Sequence, residues 1–351
     1  MRILHTSDLH LREDRPETIR ALKELLRIAS ERGADLMTIG GDIFHSKEDA
    51  EVLRPKLREI FSGDGPEVLA IPGNHDADAY REDLNWGSKI TVATEEPFST
   101  FEYEGFAIIA LPFKDELTTS LYDRLQSVSD KHSKSALLLH CTLDIGYSSE
   151  DFGEEESVSY FPVTRETLRE WGFDYVLAGH FHRNQSILKL GEEIKFIYPG
   201  SPVSHSWSEL GKRKAVLVDV ESGEEEGLSL DTFYRDECEK VVRPGEEEEL
   251  VEEIGVWVDE RVGDDCEIRV IPRGHVRLDE KEFTKMLEEA CEGAELTHEF
   301  YRSVKPVLNH PLFRRFKESL DSRDDIDDKE AVEEMALDAM SRLLANRELR
   351  S

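Results

Sequence analysis

Five times before residue 183, a short apolar run in this chain stops at a turn bearing Asp, Asn or His. Ile3-Leu4-His5-Thr6 precedes Asp8 and His10, Leu36-Met37-Thr38-Ile39 precedes Gly40-Gly41-Asp42, and Val68-Leu69-Ala70-Ile71 precedes Pro72-Gly73-Asn74-His75-Asp76. Ala136-Leu137-Leu138-Leu139 then ends in His140, and Tyr175-Val176-Leu177-Ala178 in Gly179-His180-Phe181-His182. Apolar runs this short, bounded by turn formers, read as buried strands, and Pro-Gly or Gly-Gly cannot continue them. Between the first three runs, Ile19, Leu22, Leu25, Leu26 and Ala29 predict a helix over 16–31, and Val52, Leu53, Leu57 and Ile60 another over 47–61. Strands alternating with helices define the α/β class, in which polar residues gather outside the carboxyl ends of the strands.

That topology would bring Asp8, His10, Asp42, Asn74, His140, His180 and His182 to one place. Taken singly, each has an ordinary structural explanation, since a lone His after a strand is more often structural than a ligand. Jointly, in one repeated context, they read as a ligand set. Asp8 and His10, two apart on an extended segment, face the same way. Seven mixed oxygen and nitrogen ligands exceed what one ion takes and suit two, bridged by Asp42 and about 3.5 to 4 Å apart, as in displacement at phosphorus. Imidazole with carboxylate suits Mn, Fe or Zn better than Ca. His5 and His205 are read as structural or peripheral, and His298 and His310 lie outside the pattern.

The rest of the chain reads as follows. A helix is predicted over 78–90 and a hairpin over 98–112, turning at Glu104-Gly105. Further hairpins, 186–190 with 195–198 and 215–220 with 228–234, are expected to form the second sheet of a sandwich. From residue 236 the composition shifts to a small alternation: strands over 238–243, 267–271 and 295–301, helices over 246–261 and 279–291. Two helices, 311–320 and 329–346, end the chain, the last with an apolar face of Val332, Met335, Ala336, Ala339, Met340, Leu343 and Leu344 that either folds back on the body or awaits a partner, the partner being preferred. The domains expected are thus 1–235, 236–305 and 306–351. The fold expected is an α/β two-sheet sandwich flanked by helices, with a small α/β domain and C-terminal helices.

Of 351 residues, 77 are acidic and 44 basic, a formal net charge of -33. Such an excess ordinarily argues against a nucleic-acid partner. In about 1 M salt, however, the Debye length is only ~3 Å, and a carboxylated surface is then a solubility device, which points to a halophilic source. Cys141, Cys238, Cys266 and Cys291 form no Cys-x-x-Cys pair and read as reduced thiols. No apolar stretch approaches the roughly 20 residues of a membrane helix, so a cytoplasmic protein is expected.

Asp8-x-His10, Gly41-Asp42, Gly73-Asn74-His75-Asp76, His140 and Gly179-His180-x-His182 match in order the motif set of calcineurin-like metallophosphoesterases. The opening Ile3-Leu4-His5-Thr6-Ser7-Asp8-Leu9-His10-Leu11, the run Gly41-Asp42-Ile43-Phe44-His45-Ser46 and Tyr198-Pro199-Gly200-Ser201 resemble one branch, the meiotic-recombination-eleven/SbcD family of DNA double-strand-break repair nucleases. That resemblance implies a metallophosphoesterase nuclease domain over 1–235, a DNA-binding capping domain over 236–305, and a tail that docks a coiled-coil ATPase of the SbcC or Rad-fifty type. It implies one ion on Asp8, His10, Asp42 and His182 and a second on Asp42, Asn74, His140 and His180, both preferentially Mn2+, with Mg2+, Fe2+ or Zn2+ as alternatives. His75 would contact the transition state or protonate the leaving oxygen, and His45 would help to place the substrate. A homodimer is implied, with Leu53, Leu57, Leu84 and Trp86 as the candidate surface, and Arg183, Lys212, Arg213 and Arg273 are candidate phosphate contacts. The activity implied is Mn-dependent exonuclease and endonuclease action on DNA. The alternatives are a phosphoesterase acting on a nucleotide or other small phosphodiester, and a scaffold that keeps the fold alone. No Walker-type Gly-x-x-x-x-Gly-Lys-Ser/Thr occurs in the chain, so any ATPase would be a separate protein.

Overall fold

A computed structural model describes residues 1–81, 84–114, 116–143, 161–183, 185–191, 194–263, 265–297 and 301–348. The chain divides into two compact units, Met1–Arg235 and Asp236–Ser351. The first unit runs β1 (Arg2–Thr6), α1 (Pro16–Glu31), β2 (Leu36–Ile39), α2 (Lys47–Ile60), β3 (Glu67–Ala70), β4 (Ile90–Val92), β5 (Ser99–Tyr103), β6 (Phe106–Ala110) and α3 (Thr119–Ser129). It continues through β7 (Ser135–His140), β8 (Thr142–Leu143), β9 (Pro162–Val163), α4 (Arg165–Trp171), β10 (Tyr175–Gly179), β11 (Ser186–Leu190), β12 (Ile194–Tyr198), β13 (Lys214–Asp219) and β14 (Glu224–Ser229).

Two six-stranded sheets result, ordered β14-β13-β1-β2-β3-β4 and β11-β12-β10-β7-β6-β5. Their central strands are parallel and apolar on both faces, as strands covered on both sides must be. Period two sorts these side chains. Leu4, Met37 and Ile39 face α1 and α2, and Leu137, Leu139, Val176 and Ala178 face α3 and α4. Ile3, Leu36, Leu69, Ile108, Ala136, Leu138, Leu177 and Val216 fill the space between the sheets. The unit is therefore a two-sheet α/β sandwich with helices on both outer faces, as expected.

Three details differ from the sequence reading. The two late hairpins do not make a sheet of their own: β12 joins β10 and β13 joins β1, so each hairpin covers an exposed edge of a different parallel set. The partner of β13 is Glu224–Ser229 rather than 228–234, an acidic edge strand whose charges hide it from an apolar pattern search. Over 78–90, the described residues hold one 3-10 turn (Ala77–Ala79) and no helix. There Tyr80 and Trp86 pack on Phe44 with ring centroids 6.1 and 5.2 Å away, and Gly87 (φ +138) lies so close to Phe61 that a Cβ would meet its Cβ at 2.6 Å. Aromatic anchoring overrides local helix preference. The same packing uses up the dimer surface expected from the resemblance, since Leu53, Leu57 and Trp86 are buried in this unit's own core.

The second unit has β15 (Tyr234–Val242), α5 (Glu247–Asp259), β16 (Cys266–Val276), α6 (Glu280–Ala290), β17 (Glu295–Leu296), β18 (Tyr301–Ser303), α7 (Lys305–Leu308), α8 (Pro311–Asp321) and α9 (Lys329–Glu348). Its sheet is ordered β15-β16-β17, with β18 also on β16, over a core that includes Ile254, Val270, Phe283 and Leu287. The single strand expected over 295–301 is two short ones, and His298 lies outside the described residues. In the last helix it is Leu337 that is buried, against Val304, Val307 and Phe313, with Ala336 and Met340 partly covered. Met335 of the expected apolar face is 72% exposed, and the side chains of Leu343 and Leu344 lie outside the described residues. All four cysteines are free thiols. No described helix is long and apolar enough to cross a membrane.

Candidate metal centre

The alternation that fills the sandwich also aims its polar ends. His140 follows Ala136 and Leu138 on the face of β7 that meets the other sheet, and Gly179 follows Tyr175 and Leu177 on β10. Opposite them, Gly40 follows Leu36 and Thr38 at the end of β2. There the sheets touch: a Cβ on Gly40 would stand 2.9 Å from the Gly179 amide, and one on Gly179 would fall on the Gly40 carbonyl oxygen. A side chain at either position would hold the sheets apart.

Hydrogen bonds knit the strand ends together. Asp8 N–H donates to Gly41 O (3.1 Å), His10 N–H to Asp42 O (3.0 Å), and His180 N–H to both oxygens of Asp8 (3.0 and 3.1 Å). His75 N–H donates to Asp42 Oδ1 (2.9 Å). Asp76 accepts from the backbone of Gly73 and Ile43, both at 2.8 Å, and from the Tyr80 hydroxyl (2.6 Å), which fixes the turn bearing Asn74 and His75. Asp8 (φ 54), His10 (φ 41), Asp42 (φ 51) and His180 (φ 100) all lie in the left-handed region. Non-glycine residues adopt this region uncommonly, Asp and His more readily than most, and such strain clusters at functional sites. Asp8 and His10 thus meet through a left-handed turn, not through the strand alternation expected.

The donor atoms converge. Asp42 Oδ2 lies 3.4 Å from His140 Nε2 and 3.8 Å from His10 Nε2, and His10 Nε2 lies 3.0 Å from His182 Nε2. His182 Nε2 is 3.8 Å from Asp8 Oδ1, and His140 Nε2 is 2.8 Å from Asn74 Oδ1. A carbonyl can only accept, so the 2.8 Å contact of His140 Nδ1 with Gly40 O puts the proton on Nδ1. Its Nε2 lone pair then faces two oxygens. His180 joins with its ring 5.2 Å from that of His140. The structure therefore brings together all seven residues expected as ligands.

These residues fit divalent ions. Asp42 Oδ2 is buried with no hydrogen-bond partner among the described residues, which a carboxylate tolerates beside a cation. Burial pushes the Asp42 carboxyl up to about 7, the nearby His140 opposing, so its charge is poorly supported by the protein alone. Burial, helped by the neighbouring His182, His205, His75 and His45 rings, holds His10 well below its ordinary value; the ring is neutral, as a ligand must be. Three groups of side chains offer ligand atoms within 4.8 Å of one another: Asp8, His10 and His182; Asp8, Asp42 and His140; and His10, His45 and His75.

His75 and His45 sit half-buried beside this cluster, stacked at 5.4 Å, and His75 Nδ1 lies 3.2 Å from the carbonyl oxygen of His45. Sequence reasoning missed one neighbour, Glu209, and read another, His205, as structural or peripheral. His205 is buried with its ring 5.1 Å from that of His10, and Glu209, also buried, meets His182 Nδ1 at 3.2 Å. Burial alone would raise the Glu209 carboxyl, but the bond from His182 and the charges of His182 and His205 hold it below the usual carboxylate range. Nothing marks Glu209 among 77 acidic residues in the sequence. His5 is structural, as expected: it lies between the sheets, with Nε2 3.2 Å from Ala178 O and Nδ1 3.0 Å from Thr38 Oγ1. Arg213 is no phosphate contact. It is buried, and donates to the backbone oxygens of His182, Ser201 and Glu209.

Residues 1–184, more than half of the chain, match the calcineurin-like phosphoesterase family. The chain belongs to that family. This calcineurin-like phosphoesterase is 27% identical to the SbcD component of the nuclease SbcCD of Bacillus subtilis (strain 168), over 64% of its own length and 68% of the relative's. It is 25% identical to the uncharacterized metallophosphoesterase YhaO of the same organism, over 63% of its own length and 58% of that protein's. Among solved structures, a dimetal phosphatase from Danio rerio aligns with a TM-score of 0.46 and 9% identity, covering 66% of this chain and 96% of that one.

Proposed function

We propose that this phosphoesterase hydrolyses phosphodiester bonds of DNA at a two-ion centre, as the nuclease component of a double-strand-break repair complex. The observation that carries the reading is the convergence of imidazole, amide and carboxylate groups from five strand ends around Asp8 and Asp42. In this reading Asp8, His10, Asp42 and His182 hold one ion, and Asp42, Asn74, His140 and His180 the other. When bound, two divalent ions would activate water and neutralise the phosphate oxygens, with manganese as the favoured metal. The protein supplies the rest. His75 spends its Nδ1 proton on the carbonyl of His45, which leaves Nε2 to contact the transition state or, in the doubly protonated ring, to give its proton to the leaving oxygen. His45 holds that ring by its carbonyl and by stacking.

The choice of DNA draws on the likeness to the SbcCD component, which covers a larger share of the chain than the family match. Residues 236–305 would serve as the DNA-binding cap and 306–351 as the docking segment for a coiled-coil ATPase of the SbcC or Rad-fifty type, with the nuclease acting as a homodimer. The burial of Arg213, which takes it out of reach of a phosphate backbone, favours the alternative of a nucleotide or other small phosphodiester. Manganese-dependent degradation of linear duplex DNA, run beside hydrolysis of a chromogenic phosphodiester, separates the two. Degradation of DNA supports the first reading, and turnover of the small ester alone replaces it with the second. His75→Ala is expected to keep both ions and lose most hydrolysis. Wild-type turnover in that variant, with metal content verified, removes His75 from the mechanism.

A further inference from the structure

Between β12 and β13 one loop carries a fully buried carboxylate, Glu209, that belongs to no motif. A buried charge is tolerated only when its oxygens are satisfied, and both are. Oε1 lies 3.2 Å from His182 Nδ1, and Oε2 accepts from the His205 amide (2.8 Å) and the Ser201 hydroxyl (3.1 Å). Ser201 N–H in turn donates to His182 O (3.1 Å), and Arg213 Nε to Ser201 O (3.0 Å), so hydrogen bonds tie the loop to the His182 backbone. Because an ionised carboxylate only accepts, its contact assigns the proton of the imidazole to Nδ1. The other ring nitrogen, Nε2, is the one 3.0 Å from His10 Nε2 and 3.8 Å from Asp8 Oδ1.

We propose that Glu209 is a positioning residue: it holds His182 in the Nδ1–H tautomer and aims its Nε2 lone pair at the ion shared with Asp8 and His10. The role rests on the two-ion reading above. A carboxylate is needed here because both of its oxygens accept at once. In Glu209→Gln one amide oxygen cannot serve His182 on one side and His205 with Ser201 on the other. If that oxygen stays with His205 and Ser201, the amide NH2 meets Nδ1 and drives the proton to Nε2, where it blocks the ligand position.

Manganese titrated calorimetrically into metal-free, full-length protein tests this. Glu209→Gln is expected to weaken one binding event by about 10- to 100-fold, the usual effect of losing a ligand's outer partner. His182→Ala should weaken the same event, and adding Glu209→Gln to His182→Ala should cost nothing more. Wild-type affinity in Glu209→Gln, or an equal further loss in the His182→Ala background, overturns the proposal while leaving the two-ion reading intact. Absence of manganese uptake by the unaltered protein overturns that reading instead, and this role with it. A second measurement needs no Glu209 variant: in 15N-imidazole spectra of the metal-free protein, the resonances missing from His182→Ala should show a protonated Nδ1. A protonated Nε2 there overturns the assignment.

Discussion

Gly179→Ala puts the sheet contact to the test. The glycine is not in the left-handed region, so its backbone suits alanine, and such a change ordinarily stabilises by about 0.4 to 1 kcal/mol through the unfolded chain. Here the new Cβ falls on the carbonyl oxygen of Gly40 and 2.9 Å from His140 Nδ1. Both atoms belong to the bond that orients His140. Overpacking costs about 1 to 3 kcal/mol, and losing the hydrogen bond roughly 0.5 to 1.5 more. The net expectation is a loss of about 1 to 4 kcal/mol, and for a body of this size each kcal/mol lowers the melting temperature by about 2 to 4 °C. Scanning calorimetry of the metal-free protein reads the stability, and a manganese titration reads the ligand. Weaker uptake at the His140 event should accompany the fall. A variant that melts at or above the parent temperature, with unchanged manganese affinity, would refute the claim that the two sheets meet at Gly40 and Gly179.

In Gly255→Ala, by contrast, the added Cβ meets Ala290 at an ordinary 3.7 Å inside α5, so a gain of roughly 0.5 to 1 kcal/mol is expected from urea denaturation; a loss would mean that α5 and α6 pack more tightly than described. His5 is held to about 4 by burial, below its unfolded value, so the folded state binds fewer protons and stability present above about pH 6.5 is lost as pH falls through 4. That single group accounts for about 3 kcal/mol, and His5→Gln, though less stable at pH 7, should show a shallower loss between pH 6.5 and 4 in urea midpoints; an unchanged slope would assign the loss to other groups. With a net charge of -33, the denaturation midpoint should climb steadily from about 0.01 M to about 1 M KCl as the Debye length shrinks from ~30 to ~3 Å. A flat salt response removes the argument for a halophilic origin.

The strands and helices that position the site were legible because each carries a local signal: apolar runs of strand length, helical spacing at Ile19 to Ala29, and Pro-Gly or Gly-Gly stops. The convergence of the seven candidate ligands was legible for the same reason, since each sits at a strand end. What failed was information held by partners distant in sequence. Whether β13 joins β1 or an independent sheet depends on an edge left open 210 residues away, and an acidic edge strand such as β14 has no apolar pattern to show. Leu57 and Trp86 looked like surface candidates because nothing local reveals that both enter this unit's core, Trp86 against Phe44 and Tyr80. Glu209 was invisible, and His205 was read only as structural or peripheral, for a similar reason: their placement depends on a loop folding back to His182 and His10, and no spacing rule encodes that return.

The division of the ligands between the sheets has a physical consequence of its own. Asp8, His10, Asp42 and Asn74 follow strands of one sheet, and His140, His180 and His182 belong to the other. In the proposed assignment, neither sheet alone offers a complete set for either ion. The centre therefore exists only when the apolar residues between the sheets are packed and Gly40 touches Gly179. Left-handed backbone at Asp8, His10, Asp42 and His180 costs of order 1 to 3 kcal/mol each, and persists only where the surroundings over-determine it. Here they do: hydrogen bonds pin the backbone amides of Asp8, His10 and His180 from across the site, and two dry cores fix the strands that lead into it. The strain stands at the strand ends because that is where regular pairing stops and the backbone can turn its donors inward. A chain that met its ions on one sheet would need no such contact, and alanine at position 40 or 179 would then cost it nothing.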